Sequence, residues 1–143
     1  MCLSIMINRP DDVLAKGEHL GFEWTVIHNR MGYRCGYVKV PLSHPWHGKS
    51  YGDLYADVHG GLTFAQADVP CDAGGPDNGH WFGFDCAHAG DAPDPELIEK
   101  GDQPETLGHR YEFGGPGSVC GQTYVEDECR KLCEQAQAAA VKP

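Results

Sequence analysis

Apolar and polar positions alternate most clearly between residues 22 and 40. Phe22-Glu23-Trp24-Thr25-Val26-Ile27 reads as a strand, and residues 28–32, ending in Gly32, as a turn. Tyr33 to Val40 reads as the return strand of a β-hairpin, which Pro41 stops. Upstream, residues 11–20 read as a short helix, with Val13 and Leu14 as its apolar side and Gly17 and Gly21 bracketing its end. Strand character returns at 53–59 and again from His80 to Cys86. The last element is the clearest. Thr123 and Glu126 have the spacing of a capping box. Val125, Cys129, Leu132, Cys133, Ala136 and Ala140 then fall on one helical face, opposite Glu128, Arg130, Lys131 and Glu134. This order predicts an α+β fold: a mainly antiparallel sheet of about four strands, a C-terminal amphipathic helix and long Gly/Pro-rich loops.

The loops fall at 41–52, 65–79 and 89–117. The last is rich in proline and acids, has room for a short helical turn at 95–100, and has the length of a lid or binding loop. A chain of 143 residues is one domain by size, and a 41% hydrophobic content with 19 glycines suits a loop-rich globular body. No apolar run reaches the ~20 residues of a membrane span, and the N-terminus has no basic region or cleavage site. Seven cysteines, an odd number without a Cys-x-x-Cys pair, argue for free thiols, a cytoplasmic setting and no disulfide requirement. They also argue against a structural zinc site, unless Cys and His from distant segments converge. The net charge of −10 disfavours direct binding to a nucleic-acid backbone and otherwise serves solubility or docking on a basic partner.

Two clusters can carry chemistry. Asp57 and His59 stand two apart on the expected strand, so they share a face. Gly60 and Gly61 follow, and their amides could hold an anion. Asp85, His88 and Asp91 form the second cluster, beside Gly90. Together they offer acid–base groups, Asp57, His59, Asp85 and His88, or ligands for a divalent metal such as Mn, Fe or Zn, drawn from Asp57, His59, His88 and Asp91. A solvated edge-strand pair and a capped turn would look the same in sequence. Cys86, Cys129 and Cys133 read as core thiols, Cys86 because it alternates with Phe84 and Phe82. In the loop 44–51, Trp46 and Tyr51 could stack a base and Lys49 could meet a phosphate. Gly48-Lys49-Ser50 lacks the earlier glycine of a phosphate-binding P-loop. The loop could equally be an ordered aromatic cover on the core.

The run from Gly36 through His44-Pro45 and Gly48-Lys49 to Asp57-Val58-His59-Gly60-Gly61-Leu62-Thr63-Phe64 and Trp81-Phe82-Gly83-Phe84-Asp85-Cys86-Ala87-His88-Ala89-Gly90-Asp91 resembles a family of small bacteriophage and prophage proteins. The likeness covers roughly residues 33–133. It implies a context, counter-defence in the cytoplasm of an infected bacterium, rather than a chemistry. The expected function is hydrolysis of a phosphorylated nucleotide, such as a cyclic nucleotide immune signal, by a small enzyme that could form a homo-oligomer. The alternatives are a sponge that binds such a nucleotide without cleaving it, and an acidic inhibitor of a host protein. On the first reading, Asp57, His59, Asp85 and His88 converge in one pocket.

Overall fold

The structure, a computed structural model, describes residues 13–29, 31–67, 79–97 and 117–141. Five strands form one antiparallel sheet: β1 (Val13–His19), β2 (Phe22–His28), β3 (Arg34–Val40), β4 (Phe64–Ala67) and β5 (His80–Asp85), in the order β1-β2-β3-β5-β4. Among the described residues one long helix, α1 (Gln122–Val141), packs against β1, β2 and β3. A short parallel ladder joins β6 (Asp91–Ala92) to β7 (Ser118–Val119). The α+β class and the antiparallel sheet are as the sequence predicts, with one strand more than expected. Of the described helices, none is long and apolar enough to cross a membrane.

Two elements differ from expectation. Residues 13–19 are a strand, not a helix. Leu20 and Gly21 both have positive φ, 55° and 86°, which makes the tight turn that folds β1 back on β2. Gly17 is then needed within β1, because a Cβ there would lie 2.4 Å from the Trp24 ring. Residues 53–59 are not a strand. A 3-10 turn at Tyr51–Asp53 leads into an extended loop, and the pairing edge falls later, at β4. Where a short helical turn is expected at 95–100, a 3-10 turn spans Pro95–Leu97, and residues 98–100 lie outside the described residues. Most of the connections at 65–79 and 89–117, with Cys2 and Cys71, lie outside the described residues.

The core lies between one sheet face and α1. Val26, Val38, Phe82 and Phe84 meet Val125, Cys129, Leu132 and Cys133, all nearly or fully buried. The helix sits close over β3 because Gly36 has no side chain; a Cβ there would lie 2.7 Å from Cys129 Sγ. The helical face is close to the one the spacing predicts, with two corrections. Ala140 is exposed, and Glu128 is buried because it accepts a backbone hydrogen bond from His59 and pairs with Lys131. The cap differs too. The helix already includes Thr123, and Gln122 rather than Thr123 bonds Glu126, at 2.8 Å. The five cysteines among the described residues are all free thiols.

Because Leu132 is fully buried between helix and sheet, Leu132→Ala should cost about 2–5 kcal/mol. Chemical denaturation checks this; a loss under 1 kcal/mol would mean that α1 does not close the core.

Candidate functional site

Loop 54–63 runs under the first half of α1 and is stitched to it. Ala56 and Val58 point inward and are buried, and the Gln135 side chain grips the Asp57 backbone at both its N–H (2.7 Å) and its carbonyl (3.0 Å). The in–out alternation of a strand survives at 56–58, which sends Asp57 outward with a side chain 74% exposed, its nearest charge being Lys131 at 3.9 Å. The shared strand face expected for Asp57 and His59 does not exist. A turn closes from Val58 to Gly61 and swings His59 away from Asp57, under the start of the helix. The His59 amide donates to Glu128 at 2.7 Å, which fixes the residue there.

His59 is the centre of the site. Its Nδ1 lies 2.8 Å from the Tyr124 hydroxyl, and its Nε2 lies 2.9 Å from each oxygen of Asp91. Cys120 Sγ is 3.6 Å from the same Nε2. Cys86 completes the group: the His59, Cys86 and Cys120 ligand atoms all lie within 4.8 Å of one another. The ladder β6–β7 makes this possible. It sets Asp91 beside Ser118 and so carries Cys120 to the cluster. Gly117 permits the approach, since a Cβ there would sit 2.8 Å from the Asp91 backbone. Arg34, buried at the start of β3, donates to the Cys120 carbonyl (2.7 Å), to Asp94 (3.0 Å) and to Gln122 (3.1 Å).

Asp85 and His88 form a second pair beside the first. His88 Nε2 is 3.3 Å from Asp85 Oδ1, but off the line of a hydrogen bond. Asp85 is held by Thr63 Oγ1 (3.0 Å) and by the Ala87 amide (3.1 Å). The His88 amide donates to Asp91 at 2.9 Å, which links the two pairs. The His59 and His88 rings are 6.1 Å apart. Gly60 is what lets them approach: its φ is +69°, and a Cβ there would lie 2.3 Å from the His88 ring. Asp85 and His88 also line an open depression of about 510 Å³, with Asn29, Tyr37 and Thr63 on its other walls.

Of the residues expected to converge, the structure therefore gathers His59, Asp85, His88 and Asp91 and leaves Asp57 out. Gly61 shares the turn of Gly60, with φ +79°. Trp46, Lys49 and Tyr51 lie elsewhere. Trp46 is buried edge-on against Phe82 and His44, Tyr51 is half exposed, and the loop is pinned by His44 Nε2 to the Ala136 carbonyl (2.8 Å). The Gly48 amide reaches His80 at the opening of β5, whereas the site lies past its end, roughly 20 Å of strand away. Sequence reasoning missed Cys120. The reading of Cys86 as a core thiol alongside Phe82 and Phe84 holds, since it is buried in the same cluster, and its sulfur also faces His59 and Cys120. No family model matches the chain, and no curated protein or solved structure matches it significantly.

The electrostatics follow from this packing. Burial lowers the His59 pKa, but the Asp91 hydrogen bond and the charges of Cys120, Asp91 and Glu128 outweigh it, so the net shift is upward. The Cys120 thiol is lowered, chiefly because Cys86 donates its S–H to it and also because His59 and Arg34 lie near; Cys86 is raised in return. Cys35, buried beside Asp85, is pushed up to about 12. A Cys–His–Asp triad needs the thiol on one ring nitrogen and the carboxylate on the other. Here both sit at Nε2, and Tyr124 takes Nδ1, so that arrangement is absent. Two thiols, an imidazole and a carboxylate could instead hold a metal ion.

In chelator-treated protein the His59–Asp91 pair should stabilise the fold fully below pH 6.5, the ordinary histidine value, and lose its contribution as pH rises through the raised pKa. An NMR titration of the His59 ring should give a midpoint above 6.5 that falls in Asp91→Asn. An identical midpoint in the variant would show that Asp91 does not set it.

Proposed function

We propose that the protein is a small hydrolase of a phosphorylated nucleotide, with His88 and Asp85 as its acid–base pair and the His59–Asp91 cluster as its electrophilic side. The observation that carries this reading is the pair of histidine–carboxylate units, their imidazole rings 6.1 Å apart, of which one, Asp85–His88, lines an open depression. Hydrolysis of a phosphoester needs a base for the attacking water and positive charge near the phosphoryl oxygens. His88 suits the first task. It is about one-third exposed, borders the depression, and has a carboxylate beside it that is itself fixed by two donors. The cluster suits the second, because the groups around His59 favour its cationic form. The loose His88–Asp85 contact fits a pair that tightens when substrate fixes the ring. The counter-defence setting rests on the motif resemblance, and the cyclic nucleotide on that setting.

The test is a turnover assay against linear and cyclic mono- and dinucleotides, with melting temperatures measured alongside. Unmodified protein should hydrolyse at least one, and His88→Ala should reduce kcat by about 10²–10⁴ with the melting temperature unchanged. Nucleotide binding without turnover would make the protein a sponge. Failure to bind any nucleotide, with stoichiometric capture of a purified basic protein, would favour an inhibitor and refute the hydrolase.

A further inference from the structure

We propose that His59, Cys86 and Cys120, with Asp91 as the fourth donor, form a binding site for one transition-metal ion of the zinc class. The inference goes beyond the hydrolytic reading: neither where the ion binds nor its role in holding the loops together depends on turnover.

The first ground is donor accounting. His59 Nδ1 is already partnered by Tyr124, and Nε2 faces both oxygens of Asp91 and the sulfur of Cys120. One proton on Nε2 can serve only one of these acceptors well. A cation at that point serves all of them, and Cys86 with them. The donors come from four separate stretches: loop 54–63, the residue after β5, β6, and the residue after β7. Among the described residues, His59, Cys86 and Cys120 are the one group of three histidine, cysteine or acidic side chains whose donor atoms all lie within 4.8 Å of one another.

Geometry is the second ground. Zinc bonds of roughly 2.0–2.1 Å to nitrogen and 2.3 Å to sulfur give tetrahedral edges of roughly 3.3–3.8 Å. Cys120 Sγ to His59 Nε2 is 3.6 Å, and Cys120 Sγ to Asp91 Oδ1 is 3.9 Å. Cys86 Sγ lies within 4.8 Å of the His59 and Cys120 donor atoms, which calls for an adjustment of about an ångström; Asp91 stands outside this three-residue group and must turn toward Cys86 to close the shell. Asp91 to His59, at 2.9 Å, is the hydrogen bond that a metal would replace.

Ligand chemistry is the third. Two sulfurs and an imidazole select zinc, or cobalt as its probe, over magnesium, calcium or manganese, which prefer all-oxygen shells. The surrounding contacts are of the kind that orient ligands. Tyr124 sets the His59 ring, Glu128 its backbone, the His88 amide sets Asp91, and Arg34 holds the Cys120 carbonyl. Cys86 and Cys120 lie in the same buried core as Cys129 and Cys133, but only the first two have the His59 imidazole beside them. With two thiolates, a carboxylate and an imidazole the shell is closed, so the ion would hold the four stretches together rather than act on a substrate, and His88 would remain free to move a proton.

The experiment uses full-length, untagged protein expressed with zinc, analysed for metal content, then stripped and titrated with Co²⁺. The expected results are one zinc per chain and, with cobalt, thiolate charge-transfer bands and tetrahedral ligand-field bands. Cys86→Ser and Cys120→Ser should each lose the charge-transfer intensity of one sulfur. Tyr124→Phe should weaken affinity by roughly 10–100-fold, and Asp57→Ala should leave it unchanged. Should a cysteine variant fail to fold, the number of thiolates is read from the cobalt bands of the unmodified protein. Absence of stoichiometric metal and of thiolate bands overturns the assignment, as does an unchanged spectrum in Cys120→Ser. Stoichiometric zinc without hydrolysis of any nucleotide would refute the enzyme reading alone. Turnover by protein that takes up no metal would refute the metal site alone.

Discussion

Arg34 opens β3 and directs its guanidinium into the protein, where it meets the Cys120 carbonyl, Asp94 and Gln122. Each of these partners lies on a different stretch of the far side of the site: the end of β7, the segment after β6, and the first turn of α1. A charge buried to this degree is tolerable only when its donors are used, and removing one partner of such a pair typically costs about 3–5 kcal/mol. The sheet thereby fixes where Cys120 and Asp91 can be. The β6–β7 ladder, two residues long on each side, could not hold that position alone. The site is thus an edge feature of a rigid sheet, built from loops that the sheet and helix clamp at several points.

The same clamping explains its chemistry. Glu128, Asp91 and two thiols surround one imidazole, and the chain carries a net charge of −10. Such a centre attracts a proton or a metal cation. Asp85 and His88 meet this centre from the side of the depression, where water and a small molecule have access.

Much of this was legible in the sequence. The alternation at 22–40, the phenylalanines of β5 and the helical face from Val125 to Ala136 each reflect burial against one surface, and period reports burial directly. The glycine-flanked motifs drew notice to His59, Asp85, His88 and Asp91, which the structure places close together, but nothing in their spacing joined the two clusters. β1 was hidden because its reversal uses Leu20 at positive φ, where no Asn-Gly or Asp-Gly pair signals a turn. The strand expected at 53–59 failed because alternation shows one buried side but not a pairing partner. Asp57 was misplaced with it. Cys120 was invisible for a different reason: it lies 61 residues from His59 and 29 from Asp91, so no local spacing could link them. Only the ladder and the Arg34 contacts join them.

The central claim is that four donors of three kinds, from four stretches, meet at one cation. X-ray absorption at the zinc edge of the purified protein tests it most directly, because it counts and identifies the neighbours without reference to activity. The account predicts two sulfur neighbours at about 2.3 Å and two nitrogen or oxygen neighbours at about 2.0–2.1 Å. A shell of nitrogen and oxygen alone would contradict it.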